Sequence, residues 1–324
     1  MMNSSSSKYL FFEKERLKPE QIAAKLHGYD RFISAFNLSP RVRDVFARVD
    51  ASESHWLIFP EYKLDPAVLP TNGRITTLNP SEEDEVILNY FDESPIRPGE
   101  RICIDSTGFL RPHLLFLIRY LYEMGCPMVD FIYSEPTAYQ KGSSTPFSAN
   151  PTEVRQVRCF EGSHQPDTSG DYLVVGCGYD TTLMSAVAMH FRHATKVQMF
   201  PFPSLRPHMY QENRMKTADC TGSFDQVLDP CFAPGYDPFA TAQVLSRFVE
   251  QHRNDIKNLY LSPLATKAQV MGFAWFYLME CTDRAVSIVY PFSNGYNQET
   301  STGLSEVWRY KLDFDVLRRF QDQR

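Results

Sequence analysis

Four short turns in this sequence place glycine, hydroxyl or charged side chains directly after an apolar run. Turns of this kind expose backbone N–H groups, and glycine lets a ligand approach the backbone closely. In open α/β sheets, ligands bind outside the carboxyl ends of the strands, where such turns lie. We therefore expect the four turns to converge on one sheet edge. They are Asp105-Ser106-Thr107-Gly108, Gly176-Cys177-Gly178-Tyr179-Asp180, Leu205-Arg206-Pro207-His208 and Ser262-Pro263-Leu264-Ala265-Thr266-Lys267.

The tetrapeptide Leu-Arg-Pro-His occurs twice, at Leu110 to His113 and at Leu205 to His208, and both copies precede a helical pattern. Proline is favoured in the first turn of a helix because its missing N–H donor is not needed there. Two readings stay open. Each copy is either a helix start with a surface arginine, or an arginine placed beside a helix N-terminus to bind a phosphate or carboxylate.

These turns predict the binding of a phosphorylated small ligand, and a nucleotide is the best match. Arginine and lysine would hold the anion, glycine would allow close approach, and Asp105 or Asp180 would contact a sugar hydroxyl. The pair Gly176 and Gly178 lacks the third glycine of the dinucleotide fingerprint, because position 181 is threonine. The sequence leaves the ligand and any cofactor unidentified. The predicted ligand-binding residues are Asp105, Thr107, Gly108, Arg111, Gly176, Gly178, Arg206, Ser262 and Lys267.

A catalytic function is the alternative, and the sequence does not decide whether the protein is an enzyme. Glu61, Asp105, Glu135 and Asp180 follow predicted strands, and a converging pair of carboxylates could perform acid–base chemistry. We take Glu135 and Asp180 as the candidate catalytic residues of a nucleotide or sugar-phosphate hydrolase or transferase. The sequence contains no H-E-x-x-H or C-x-x-C pattern, so no metal site is predicted.

The elements that must position these turns are strand–helix–strand units. The segment from Ile102 to Tyr133 reads as a strand, a turn, a long apolar helix and a second strand, which requires a parallel sheet. The segment from Leu259 to Phe292 repeats that order, with identical residues such as Phe116 and Phe273 at aligned positions. The prediction is a three-layer α/β fold with a mostly parallel, Rossmann-like sheet, or two such halves side by side.

We predict three segments along the chain. Residues 1–50 would form an N-terminal tail and a helical cap, residues 51–160 a first Rossmann-like unit, and residues 161–324 a second. The stretch from Met1 to Lys8 is serine-rich and lacks the apolar core of a signal peptide, so we expect a disordered start.

Composition narrows the classes of partner. The net charge is -6, which makes nucleic acid an unexpected partner because nucleic-acid-binding proteins usually carry a basic footprint. No apolar run approaches the roughly 20 residues that span a bilayer, and the seven cysteines contain no paired motif, so a reducing cytoplasm is predicted. A further reading is a structural subunit that docks a partner through an aromatic face formed by Trp275, Phe276, Trp308 and Tyr310.

The D-S-T-G-x-x-x-P turn from Asp105 to Pro112 resembles the ligand-facing turn of CARF and related Rossmann-like sensor domains of prokaryotic defence systems. The Ser-Pro-Leu-x-x-Lys turn from Ser262 to Lys267 is similar to it more loosely. The resemblance implies binding of cyclic oligonucleotides or other nucleotides across a groove between two copies, with an attached effector switched in response. Neither Leu-Arg-Pro-His segment matches the R-x-x-x-x-H motif of HEPN effectors, since each histidine follows its arginine after one residue. An output activity is therefore not implied.

Overall fold

A computed structural model describes residues 8–139, 147–220, 222–282, 284–298 and 301–322. The start predicted to be disordered lies outside these ranges, apart from Lys8. The chain divides into two compact units. The seven-stranded unit contains residues 12–148 and 295–316, and the six-stranded unit contains residues 1–11, 149–294 and 317–324.

The strands and helices have the following bounds in chain order. The strands are β1 Lys14–Leu17, β2 Tyr29–Ala35, β3 Ala51–Ile58, β4 Arg74–Thr77, β5 Ile102–Asp105, β6 Met128–Glu135, β7 Ala138–Tyr139, β8 Pro151–Gln156, β9 Asp171–Gly176, β10 Thr195–Pro201, β11 Cys231–Ala233, β12 Asn258–Pro263, β13 Val286–Ser293, β14 Ser301–Thr302 and β15 Glu306–Asp313. The helices are α1 Ile22–Lys25, α2 Pro40–Phe46, α3 Glu83–Glu93, α4 Arg111–Glu123, α5 Thr181–His190, α6 Met209–Asp219, α7 Pro238–Gln251, α8 Lys267–Glu280 and α9 Phe314–Gln321.

The sheet of the seven-stranded unit has the order β1-β15-β6-β5-β2-β3-β4. The five strands from β6 to β4 are parallel, whereas β15 pairs antiparallel with both β6 and β1. The chain builds β2, β3 and β4 towards one side and then returns to place β5 and β6 on the other side of β2. The strand order therefore reverses between β2 and β5, which is the point where open α/β sheets bind ligands.

The sheet of the six-stranded unit has the order β11-β10-β9-β12-β13-β8. All of these strands are parallel except β8, which pairs antiparallel with β13. Numbered along the chain, the five parallel strands of either unit lie in the order 3-2-1-4-5. In both units the antiparallel strand is next to the fifth parallel strand. The structure thus confirms the predicted fold class, with two Rossmann-like sheets flanked by helices.

The internal sequence similarity lies at equivalent places in the two units. The segment β5–α4–β6 provides the fourth and fifth parallel strands of its sheet, and β12–α8–β13 provides the same two strands of the other sheet. Both connecting helices are strongly buried, and all but two residues of α8 are buried. A helix that is apolar around its whole circumference is typical of a buried position in a protein core.

The predicted aromatic docking face is wrong. Trp275 and Phe276 are fully buried on α8, Tyr310 is fully buried on β15, and Trp308 is 8% exposed. These side chains belong to the cores of the two units and are not available to a partner.

The N-terminal segment differs from the predicted helical cap. Residues 12–50 belong to the seven-stranded unit, and β2 lies inside its sheet between β3 and β5. Residues 149–160, which were predicted to belong to the first unit, lie in the six-stranded unit. Residues 295–316 return to the seven-stranded unit and supply β15.

Candidate functional site

Three loops and the end of one strand meet at the carboxyl edge of the seven-stranded sheet, around the reversal of strand order. The loop after β2 leads into α2, the loop after β3 contains Glu61 and Tyr62, and the turn after β5 leads into α4. Ser134 and Glu135 end the neighbouring strand β6. We call the group formed by Arg41, Glu61, Tyr62, Arg111 and Ser134 the switch-point site.

The turn after β5 is held together by its own polar side chains. The fully buried Asp105 accepts a hydrogen bond from the backbone N–H of Thr107 (3.0 Å) and one from the hydroxyl of Ser34 (3.3 Å). Thr107 Oγ1 in turn accepts from the backbone N–H of Ser134 (2.9 Å). Burial raises the pKa of Asp105, and the hydrogen bonds from Thr107 and Ser34 oppose that rise. Asp105 and Thr107 therefore have structural roles in fixing this turn.

Gly108 is required by backbone packing in the same turn. A Cβ atom at this position would lie 1.9 Å from the carbonyl oxygen of Ala35, the last residue of β2. The carbonyl oxygen of Gly108 accepts a hydrogen bond from the Tyr62 hydroxyl (2.8 Å). The glycine thus lets the turn lie directly on β2 and connects it to the loop after β3.

Two arginines supply the positive charge of the switch-point site. Arg41 lies in the first turn of α2, is 6% exposed, and donates a hydrogen bond to the carbonyl oxygen of Ser134. Its Nε has no hydrogen-bond partner in the described part of the chain. Arg111 is the first residue of α4 and is partly buried. A buried guanidinium with an unused donor is a costly arrangement unless a ligand completes it.

Tyr62 is close enough to both cations to feel their charges, and Glu61 precedes it in the chain. Burial raises the pKa of Tyr62 to about 12, opposed by a hydrogen bond with Asn37 and by the charges of Arg111 and Arg41, while Glu61 adds to the rise. Burial also raises the pKa of Glu61. Oε2 of Glu61 is buried and has no hydrogen-bond partner among the described residues. The site therefore places one carboxyl group and two guanidinium groups near the phenol of Tyr62. Oε2 of Glu61 and Nε of Arg41 have no hydrogen-bond partner in the described residues.

The two candidate catalytic carboxylates lie in different units, and each has a structural partner. Glu135, 3% exposed in the seven-stranded unit, accepts a hydrogen bond from the indole N–H of Trp308 (2.7 Å). Asp180, in the six-stranded unit, caps α5 by accepting from the backbone N–H of Leu183 (3.2 Å). The two residues thus do not form a pair within either unit.

Three of the four predicted turns lie at the carboxyl edge of the six-stranded sheet, after β9, β10 and β12. A Cβ atom at Gly178 would lie 2.2 Å from the carbonyl oxygen of Leu264, so the turns after β9 and β12 are in direct backbone contact. Gly176 has more room, since its nearest neighbours would be 3.4 Å from an added Cβ. Ser262 is fully buried, and its Oγ has no hydrogen-bond partner in the described residues.

The predicted ligand-binding residues are therefore divided between two sheets. Asp105, Thr107, Gly108 and Arg111 belong to the seven-stranded unit, whereas Gly176, Gly178, Arg206, Ser262 and Lys267 belong to the six-stranded unit. The two Leu-Arg-Pro-His segments are separated in the same way. The second segment also differs in local structure, since Arg206 precedes α6 and His208 is its N-cap residue. Arg206 and Lys267 are both partly buried.

Sequence reasoning missed Arg41 and gave no particular role to Tyr62. The signal for Arg41 is the sequence Ser39-Pro40-Arg41, which starts a helix directly after β2. Because β2 was not predicted, this helix start was not recognised as following a strand of the sheet. Glu61 was recognised as a strand-end acid, but only the fold places it at the edge beside the reversal of strand order.

No group of three or more potential metal-ligating side chains occurs among the residues that the structure describes. In the same residues, no helix is long and apolar enough to cross a membrane. A scan against models of protein families, a search of curated proteins and a search of solved structures each found no match.

Proposed function

We propose that this protein binds a phosphorylated small ligand, a nucleotide, at the switch-point site. The observation that carries the proposal is that two arginines and a carboxylate with one unpartnered oxygen in the described residues surround Tyr62, where the strand order of the sheet reverses. Ligands of open α/β sheets bind at this place because the loops on either side diverge there.

The arginines favour a phosphate group. Arg41 offers a buried Nε donor, and Arg111 lies at the start of the 13-residue helix α4, whose N-terminal N–H groups and dipole attract an anion. A guanidinium binds phosphate oxygens through two parallel hydrogen bonds. A phosphate between these side chains would satisfy the unused donor and balance the positive charge.

Glu61 favours a ribose. It follows β3, the second parallel strand of this unit, with only Phe59 and Pro60 between them. In dinucleotide-binding sheets an acidic residue beyond the second strand accepts hydrogen bonds from ribose hydroxyls. Oε2 of Glu61 is buried and unpartnered in the described residues, so it can take this role. A site that accepts both a phosphate and a ribose fits a nucleotide as its class of ligand.

The resemblance of the Asp105 to Pro112 turn to defence-system sensors extends the proposal. Under it, nucleotide binding serves as a signal, and the binding-competent form is a homodimer or a complex with a partner protein.

The proposal is tested by isothermal titration of the full chain with ADP. Replacing both arginines, Arg41→Gln with Arg111→Gln, should weaken binding by about 100-fold or more, since each charged hydrogen bond contributes roughly 1.5–3 kcal/mol. The matched control is Arg43→Gln, because Arg43 is exposed on the same helix as Arg41. Equal affinity in the double variant and the control would reject the site.

A catalytic function is the second candidate, and Glu61 is the observation that favours it. A carboxyl group with a raised pKa and no partner at Oε2 can act as a general acid. The enzyme would be a nucleotide or sugar-phosphate hydrolase or transferase. Chromatography of ADP after prolonged incubation separates the two functions. Intact ADP supports binding alone, whereas turnover that disappears in Glu61→Gln supports catalysis.

A further inference from the structure

A cluster of aromatic side chains lies on the surface of the six-stranded unit, at the carboxyl ends of β10 and β11. Phe202 lies 5.0 Å from Tyr210 and 6.3 Å from Phe232, measured between ring centroids, and Tyr210 lies 6.2 Å from Phe232. The three rings are thus in mutual contact although they come from three separate elements. We call them the aromatic platform.

The platform is exposed, unlike the core beneath it. Phe202 is 51% exposed and Phe232 is 41% exposed, whereas Phe200, two residues before Phe202, is 1% exposed. Strand β11 contains three residues and lies at the edge of the sheet. Single exposed apolar side chains are common on proteins, but a contiguous aromatic group is typical of a binding surface.

Positive charge lies beside the platform. Arg214 is four residues after Tyr210 on α6, which places both on one face of the helix, and its guanidinium lies 4.6 Å from the centroid of Phe200. Lys216 on the same helix lies 5.8 Å from the ring of Tyr179, which is not part of the platform. The acidic side chain of Glu212 on the same helix accepts a hydrogen bond from the hydroxyl of Tyr179 (2.6 Å). Aromatic rings beside a cation suit a planar ligand that carries negative charge.

We propose that the aromatic platform binds the base of a nucleotide by stacking, with Arg214 contacting its phosphate. A nucleobase presents a flat face to Phe202 and Phe232, and its phosphate balances the charge of Arg214. A protein partner with no carboxylate opposite Arg214 would remove water from that cation without a compensating charge, which is unfavourable. This site is in the six-stranded unit, so it is independent of the switch-point site and goes beyond the function proposed above.

The first test compares AMP with ribose 5-phosphate by equilibrium dialysis against the full chain. Stacking of one base on aromatic side chains changes affinity by about 5- to 100-fold, so AMP should bind more tightly by that factor. Phe202→Leu should lose this difference, because leucine keeps the apolar surface but has no ring, whereas Phe202→Tyr should retain it. Phe11→Leu is the control, since Phe11 is 67% exposed in the same unit and outside the platform.

A second measurement locates the base, so that the two proposed sites can be told apart. Photolabelling with 8-azido-AMP, followed by tryptic digestion, should label the peptide of residues 197–214, which contains Phe202 and Tyr210. The label should disappear in Phe202→Leu. Labelling confined to the peptide of residues 49–63, which contains Glu61, would overturn the platform while supporting the switch-point site.

Sedimentation of the same variants tests whether this surface binds a second copy of the chain and not a nucleotide. A dimer that Phe202→Leu dissociates, with no label on residues 197–214, would overturn the proposal. Equal binding of AMP and ribose 5-phosphate to the unmodified protein would do the same.

Discussion

At the scale of single residues, Arg41 and Glu61 mark a candidate site, because burying a polar atom without a hydrogen-bond partner costs free energy. Both side chains hold polar atoms that are shielded from water and unpartnered within the described chain. Such atoms are rare in folded proteins because each one forfeits hydrogen bonds to water. Asp105, by contrast, is fully buried but accepts hydrogen bonds within its own turn. At the switch-point site, such unpartnered atoms are the ones that a ligand could satisfy.

Glu61→Gln should change how stability depends on pH. Burial raises the pKa of Glu61 above its ordinary value of 4.5 in the folded protein. The folded state then binds this proton more tightly than the unfolded state. The stabilisation that comes from the bound proton is therefore complete below pH 4.5 and is lost as the pH rises through the raised pKa. Glutamine cannot ionise, so the variant should gain free energy of unfolding relative to the unmodified protein as the pH rises.

Urea unfolding at several pH values from about 4 to 8, a range chosen to bracket the ordinary glutamate pKa, measures this difference. The same substitution at the exposed Glu93 is the control. A free-energy difference that does not vary with pH for Glu61→Gln would contradict burial of its carboxyl group.

At the scale of elements, loops are fixed to the sheets by a few contacts at each end of the strands. At the carboxyl edges, Gly108 and Gly178 bring turns into backbone contact with a neighbouring strand or turn.

At the start of β13, Ser287 holds the loop before β9. Its Oγ accepts hydrogen bonds from the backbone N–H of Gly162 (2.9 Å) and from the side chain of Gln156 (2.9 Å). It also lies 2.5 Å from Nε2 of His164.

Gly178→Ala should destabilise the six-stranded unit, whereas Gly176→Ala in the same turn should have little effect. The added methyl group would lie 2.2 Å from the carbonyl oxygen of Leu264 in the first variant, but no closer than 3.4 Å to any neighbour in the second. Overpacking of this kind costs about 1–3 kcal/mol. Differential scanning calorimetry of both variants measures the effect, and equal losses of stability would show that the turns do not meet as closely as described.

His164 should make the loop before β9 sensitive to acid. Because Ser287 Oγ already accepts two N–H groups, its proton points to Nε2 of His164, which must then be neutral. Burial lowers the pKa of His164 below its ordinary value of 6.5, although Asn258 and Asp171 oppose the shift. The unfolded state therefore binds the proton more tightly. The contribution of neutral His164 to the free energy of unfolding should be complete above pH 6.5 and should fall as the pH drops through the lowered pKa.

The measurement is urea unfolding between about pH 5 and pH 8, on either side of the ordinary histidine pKa, compared with His164→Gln. The variant should lose less stability on acidification than the unmodified protein. His190→Gln provides a control on an exposed histidine of the same unit. Identical acid sensitivity in all three proteins would exclude this role for His164.

At the scale of the whole molecule, the chain leaves the seven-stranded unit and later returns to it. Residues 149–294 form most of the six-stranded unit, and residues 295–316 then supply β15 to the first sheet. Strand β15 pairs with β6 over eight residues and also with β1. Its buried side chains include Val307, Tyr310 and Leu312. The seven-stranded sheet is therefore complete only when the C-terminal part of the chain is present.

A chain ended after residue 294 should lose the hydrogen-exchange protection of β6 and β1, because both strands pair with β15. A chain ended after residue 316 is the control, since it retains β15 and removes the rest of α9. Hydrogen exchange followed by mass spectrometry measures both proteins. Full protection of β6 in the shorter chain would show that β15 is not needed to complete this sheet.

The sequence by itself determined the fold class and the strand–helix–strand units whose apolar periodicity is strong. The segments β5–α4–β6 and β12–α8–β13 were readable because their strands and helices are buried and mostly apolar. Strand β2 was not, because its sequence Tyr-Asp-Arg-Phe-Ile-Ser-Ala carries Arg31 in a buried position. That charge is tolerated through its ion pair with Glu100 (2.8 Å) and its hydrogen bonds to the carbonyl oxygens of Ser94 and Pro95, which are all contacts between distant residues.

Only the tertiary structure decided which turns share an edge. The sequence treated four turns as one site, but strand pairing assigns one to the first sheet and three to the second. Pairing depends on contacts between residues far apart in the chain, which local patterns do not contain. The same limit applies to Arg41, whose burial beside Ser134 and Tyr62 depends on three elements meeting. Residue types could suggest an anion-binding turn, whereas the folded sheet determined which charged groups are buried together.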